Sequence, residues 1–345
     1  MKRFVVALLV VLFLIPGACA EAVTGQSGDF VYEVHDGTAW ITGYQGAGGE
    51  VVIPNELDGF PVSALYGEVF GRKLSVTSFK IRDDHPFFVI IDGILFDRFN
   101  KSLVRMPSAW ETAAYEIPDG VPGIGTYAFM CCKNLTSITI PDSVTSIGAG
   151  AFAYCSGLTN ITIPSSVTGI DEWSFYNCKS LTDITIPDGV TGIGDYSFYF
   201  CLSLTGITIP DSVTSIGNNA FGCSDLMSIT IPDSVTSISA GAFYNCRGLT
   251  DVTIPDSVTS IGRRAFADCR KLTSITIPDN VTMIDEWAFQ DCSGLTGITI
   301  PNSVTSIGEE AFIGCDSLTV SVAEGSYAES WCREHGVPYT YYGDN

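Results

Sequence analysis

Apolar residues between positions 117 and 317 recur in one fixed order, clear in the stretch Leu135-Thr-Ser-Ile138-Thr-Ile140-Pro141-Asp-Ser-Val144-Thr-Ser-Ile147-Gly-Ala-Gly-Ala151-Phe152-Ala-Tyr-Cys155. Leu135, Ile138 and Ile140 predict a short β-branched strand, which Pro141 ends because it has no N–H for a sheet ladder. Val144 and Ile147 predict a second extended arc, and Gly148 a sharp bend before Ala151 and Phe152 turn the chain inward toward Cys155.

The phenylalanines that close these units stand at 129, 152, 175, 198, 221, 243, 266, 289 and 312, a spacing of 23 residues with one step of 22. A constant period of this size predicts a stacked solenoid in which no coil buries its apolar side alone. Each large inward residue contributes roughly 1.5–3 kcal/mol on burial, so the stack is stable although a single coil is not. The short step is assigned to Phe221-Gly222-Cys223, which lacks one residue of the Phe-x-x-Cys turn.

Three further columns follow from the same register. Cys132, Cys155, Cys178, Cys201, Cys223, Cys246, Cys269, Cys292 and Cys315 share one repeat position. Side chains parallel in one column do not aim at each other as a disulfide requires, so a buried free-thiol ladder is expected over serial bridges. Cys131 and Cys332 stand outside it. Asp119, Asp142, Asp188, Asp211, Asp233, Asp256 and Asp279 follow the strand-ending proline, with Ser165 and Asn302 in their place twice. All three residue types accept a turn N–H, which is expected here rather than a calcium-binding edge. The third column runs from Thr139 to Thr299, between inward aliphatics, and must face out of the sheet.

These units resemble the BspA-like leucine-rich repeat family, whose repeats run close to L-x-x-I-x-I-P-x-x-V-x-x-I-G-x-x-A-F-x-x-C. That resemblance implies a repeat solenoid: a β-rich, leucine-rich-repeat-like, right-handed coil stack with a parallel sheet, an N-terminal β-hairpin cap and a short C-terminal helical cap. Phe30–Gly37 and Ile41–Tyr44 look like the opening hairpin, and Asp83–Pro107 like the family's inserted hairpin. Ser326–His335 reads as the capping helix. The chain divides accordingly into a leader (1–20), β cap (21–50), degenerate repeat (51–82), inserted hairpin and irregular unit (83–116), regular repeats (117–317) and C-terminal cap (318–345). Family members are mostly bacterial secreted or cell-surface proteins that bind host matrix proteins or other cells, which makes a non-catalytic adhesion module the expected function. An inhibitor or regulatory binder of a secreted enzyme is the alternative.

Export is expected independently of the family. Lys2 and Arg3 precede an apolar run from Phe4 to Ile15 that is too short to span a bilayer, and Ala18-Cys-Ala20 offers a small-residue cleavage site before Glu21. Acylation at Cys19 is a rival route that would leave a lipid anchor. No membrane span is expected after cleavage. Formal charge is −21; without Lys2 and Arg3, 15 basic residues face 38 acidic ones, or −23. Such a surface repels phosphate backbones and argues against nucleic acid as a partner.

Nothing in the chain carries an established catalytic spacing, and His35, His85 and His335 all lie outside the regular repeats. No catalytic residue, metal site or cofactor is therefore assigned. His85 and Asp92, in the irregular region, are where an enzyme reading would have to begin. The candidate contact residues are Trp173, Tyr176, Tyr196, Tyr199 and Phe200 on two adjacent coils, with Tyr127 and Trp287 at equivalent places. Aromatics with polar tips are enriched at interaction sites and stack on sugars, so the expected partner is an extracellular protein or a glycan.

Overall fold

The computed structural model describes residues 23–72 and 75–342; the leader, the Ala20 cleavage site and Cys19 lie outside the described residues. The regular repeats form a β-solenoid. Each coil gives a three-residue strand such as Ser137–Thr139 and a two-residue strand such as Ser146–Ile147. Successive copies pair in parallel, Ile138 with Ile161 and Ile161 with Ile184 on the first side, Ile124 with Ile147 on the second. The threonine column is exposed on these strands while Ile138, Ile161 and Ile184 between are buried.

The third side is held by the inward phenylalanines. Rings from Phe129 to Phe312 stack in one unbroken column, neighbours 5.1–5.8 Å apart between centroids and 2–9° from parallel. Main-chain bonds follow the same column: Phe129 N donates to Ala151 O, Phe152 N to Ser174 O and Phe175 N to Ser197 O, each at 2.8 Å. The turn that carries the phenylalanine bends through two left-handed residues, one two places before it and one two places after. The first column includes Tyr127, Gly150, Trp173, Tyr196, Asn219 and Gly241; the second includes Tyr154, Asn177, Phe200, Asn245, Asp268 and Gly314.

Three expectations change. Gly148 is not left-handed; a Cβ there would lie 2.8 Å from Thr126 N and 3.0 Å from Gly125 C, so glycine is present because two coils approach closely. The aspartate column makes no bond to turn N–H groups among the described residues and stands exposed. The neighbouring serine joins the coils instead, as when Ser143 Oγ donates to Val121 O at 2.9 Å and Ser212 Oγ to Val190 O at 2.7 Å.

The third change concerns Cys223. Its φ of 57° places it in the second left-handed column, equivalent to Phe200 and Asn245, and the buried Ser224 takes the place that cysteine holds in other coils. Ser224 N donates to Phe221 O, as Cys201 N does to Phe198 O. The missing residue is therefore lost from the turn between the cysteine column and the next leucine, where Leu202-Ser203 in one coil corresponds to Asp225 alone in the next.

The strand ladder fails beside this shortened coil. Gly206–Thr208 occupies the strand position but pairs with neither Asp183–Thr185 before it nor Ser228–Thr230 after it. Only Met227 N to Thr205 O, at 3.0 Å, spans either step at this side. A second lapse falls between Asp251–Thr253 and Ser274–Thr276, though each of those strands keeps its other partner.

At the N-terminal end, Phe30–His35 and Thr38–Tyr44 pair antiparallel around Asp36-Gly37, both left-handed as a two-residue turn requires. Phe88–Ile91 and Ile94–Asp97 form a second hairpin around Asp92-Gly93. It continues through Leu103–Arg105 into the solenoid's second ladder, Leu103 pairing with Ile124. Arg105 fastens this region: its buried guanidinium donates to Tyr127 O at 2.6 Å and Gly67 O at 3.2 Å. Desolvation pulls its pKa down to about 10. At the other end the helix Tyr327–His335 starts at Ser326, whose side chain accepts from Glu329 N, and stops at left-handed Gly336. Trp331 packs edge-on against Phe312 and closes the ring column.

Candidate functional site

The left-handed turns carry their side chains to the outer side of the phenylalanine column, and two adjacent coils place aromatic rings there. Trp173, 40% exposed, meets the half-buried Tyr196 edge-on, with ring centroids 6.2 Å apart. Tyr176 and Tyr199 stack at 5.7 Å and 14°, while Tyr196 and Phe200 pack edge-on against Tyr199 at 5.4 and 4.6 Å. All five residues selected from the sequence thus belong to one continuous terrace. Burial raises the Tyr199 phenol pKa, with its bond to the Cys223 side chain adding to the effect.

Three further residues join the terrace. Tyr154 packs on Tyr176 at 5.3 Å, and Arg72 lies 4.6 Å over the Tyr154 ring. Glu68 accepts from Arg72 Nε at 3.3 Å. With Tyr127, Trp173, Tyr176 and Tyr196 these residues line a cavity of about 140 Å³. Burial, reinforced by Tyr176, pushes the Tyr154 phenol up to about 12, so at neutral pH it presents a hydroxyl. The site therefore offers apolar ring faces, phenolic hydroxyls, one carboxylate and one guanidinium.

Tyr154 was visible in the sequence, because it stands at the same repeat position as Phe200. Glu68 and Arg72 were not, since they come from the N-terminal unit and share no period with the coils. Trp287 is equivalent to Trp173 in position but differs in surroundings. Arg263 and Arg264 lie 4.4 and 4.7 Å over its ring, and its Nε1 donates to Glu310 at 2.6 Å. Those partners satisfy Trp287 within the protein.

His85 has no atom free for chemistry. Its Nδ1 accepts from Phe87 N and Phe88 N, each at 3.2 Å, and its Nε2 donates to Pro54 O at 3.1 Å, in a ring 1% exposed. Asp92 forms the neighbouring hairpin turn. Among the described residues no group of His, Cys, Asp and Glu is arranged to hold a metal ion.

The family model for the BspA type leucine-rich repeat region matches residues 110–224 and 214–328, in six copies. The chain belongs to that family. BspA-type repeat proteins are typically secreted or displayed at the bacterial surface and generally bind rather than catalyse. Among solved structures, a leucine-rich repeat protein from Bacteroides ovatus is 23% identical, with a TM-score of 0.57 over 95% of this chain and all of the other. That likeness supports the fold alone. A leucine rich cell surface protein from Faecalibacterium prausnitzii is 28% identical over 91% of this chain and 98% of the other, with a TM-score of 0.36. No curated protein matches. Among the described residues of this BspA-type chain, no helix is long and apolar enough to cross a membrane.

Proposed function

We propose that this chain is a non-catalytic binding protein, exported through residues 1–20 and either secreted or held at the cell surface. It adheres to a host matrix protein, or to a protein or glycan of another cell, through the terrace of Trp173, Tyr176, Tyr196, Tyr199 and Phe200. The observation that carries this reading is the exposed Trp173 ring beside a small cavity edged by Arg72 and Glu68. The position supports it: Trp173 and Tyr196 hold φ near 60° in a column that takes Gly150, Asn219 and Gly241 but also Tyr127, Arg264, Trp287 and Glu310, so this turn carries side chains of any size.

Binding to immobilised matrix proteins and arrayed glycans, compared between the parent and a Trp173→Ala/Tyr199→Ala double variant, tests the assignment. The double variant is expected to lose at least tenfold in affinity while keeping a cooperative melt. Undiminished binding by a folded double variant removes the terrace from the proposal. N-terminal sequencing of exported protein should begin at Glu21; a lipid-modified Cys19 would replace that reading with an anchored form.

A further inference from the structure

The interrupted strand ladder opens a groove distinct from the aromatic terrace. Gly206, Ile207 and Thr208 have no main-chain hydrogen bonds among the described residues, although they stand where every other regular coil forms a paired strand. The coils stay together behind them, since the Phe175, Phe198 and Phe221 rings remain stacked at 5.3 Å and Ser197 O still receives Phe175 N at 2.8 Å. At the front the opening is a groove of about 860 Å³ floored by Ile184, Ile207 and Ile229. Ile207 is only partly buried, whereas Ile184 and Ile229 are 4% and 3% exposed.

Charge along this groove has one sign. Asp183, Asp188 and Asp211 line it, all exposed; no lysine or arginine does, and none of the three forms an ion pair among the described residues. Free main-chain donors and acceptors beside an unpaired strand are the template that strand addition uses. Flanking carboxylates select against acidic segments and in favour of basic ones.

We infer that the groove at Gly206–Thr208 receives an extended, lysine- or arginine-bearing peptide segment of a partner protein, which pairs with the free main-chain groups while its basic side chains meet Asp183, Asp188 and Asp211. The opening lies toward Asp183–Thr185: Thr205 N makes no bond to Thr182 O, whereas Met227 N still donates to Thr205 O, as Thr250 N does to Met227 O in the next coil.

The probe is a synthetic peptide of alternating Lys and Thr, measured by fluorescence anisotropy on the mature chain beside two controls. One replaces every Lys with Glu; the other carries N-methyl groups on alternate amides and so keeps charge while losing main-chain donors. The Lys peptide should bind with an affinity that falls as salt rises, and each control should bind at least tenfold more weakly. Replacing Asp183, Asp188 and Asp211 together with Asn removes the flanking carboxylates and should weaken Lys-peptide binding by a similar factor. Equal binding of the N-methylated peptide would show charge attraction alone and overturn the inference, as would equal binding of the Glu peptide. Hydrogen exchange gives a readout that does not depend on the substituted variant folding. The amides of Gly206–Thr208 should exchange far faster than those of Asn160–Thr162 and slow when the Lys peptide is added; slow exchange in the free chain would mean a closed ladder and no site.

Discussion

The thiol of Cys155 donates to the carbonyl oxygen of Phe129 in the preceding coil, Sγ to O 3.0 Å. Cys178 repeats the bond to Phe152 at 3.1 Å, and Cys201, Cys269, Cys292 and Cys315 continue it. Cysteine thus does two things in this column: it fills a small apolar slot and it satisfies a buried carbonyl.

Native protein treated with a thiol reagent should leave Cys155, Cys178 and Cys269 unmodified, because burial raises all three thiols well above their ordinary value and none is exposed. Cys315, 8% exposed at the last coil, should react ahead of them. Mass mapping after brief labelling checks the order, and fast uniform modification would contradict a buried column. Cys178→Ser keeps a donor to Phe152 O and should cost less in urea denaturation than Cys178→Ala, which loses about 1–2 kcal/mol.

Serine replaces the alanine before phenylalanine in the two aromatic coils, with opposite consequences. Ser174 Oγ donates to Asp171 O at 2.7 Å, whereas Ser197 Oγ is buried without a partner. Ser197→Ala should therefore stabilise the protein by about 1 kcal/mol, and Ser174→Ala should destabilise it by a similar amount. Paired denaturation curves decide this; a loss of stability in Ser197→Ala would mean that the hydroxyl has a partner.

His85 predicts a pH response in the N-terminal unit. Desolvation lowers its pKa, with Arg98 adding to this while Pro54 O and Asp84 oppose it. The unfolded chain then binds the proton first. Stability is full above the unfolded value of about 6.5 and declines as pH falls below it. His85→Gln should be less stable than the parent at pH 7.5 and should show a shallower loss between pH 7 and 5.5, read by hydrogen exchange in residues 51–97.

Trp173 should dominate the solvent-accessible tryptophan emission, being the exposed one among the described residues. Acrylamide quenching is expected to fall markedly in Trp173→Phe and little in Trp287→Phe. Comparable quenching in the two variants would place Trp173 under cover and count against the terrace.

Most of the solenoid was legible because its inward residues recur at one period, so that Ile138, Val144, Ile147 and Phe152 each report the same contact many times. The left-handed turns were not legible, and the bend expected at Gly148 lies elsewhere: Gly150, Asn219, Gly241, Asn177, Asn245 and Gly314 tolerate that backbone, but Trp173, Tyr196 and Phe200 in the same columns obscured it. Cys223 misled because residue identity matched the cysteine column one place too early; only the bond from Ser224 N to Phe221 O fixes the register. Glu68 and Arg72 reach the terrace through tertiary packing, which no spacing within the repeats encodes.

The unequal sides of the coil stack have a mechanical consequence. Rings and main-chain bonds run without interruption along the phenylalanine side, but at Gly206–Thr208 the strand side carries no load-sharing pairs. Under tension along the axis, this coil is the compliant joint, and the blocks before and after it should extend as separate units. A stretched single molecule should therefore yield there first.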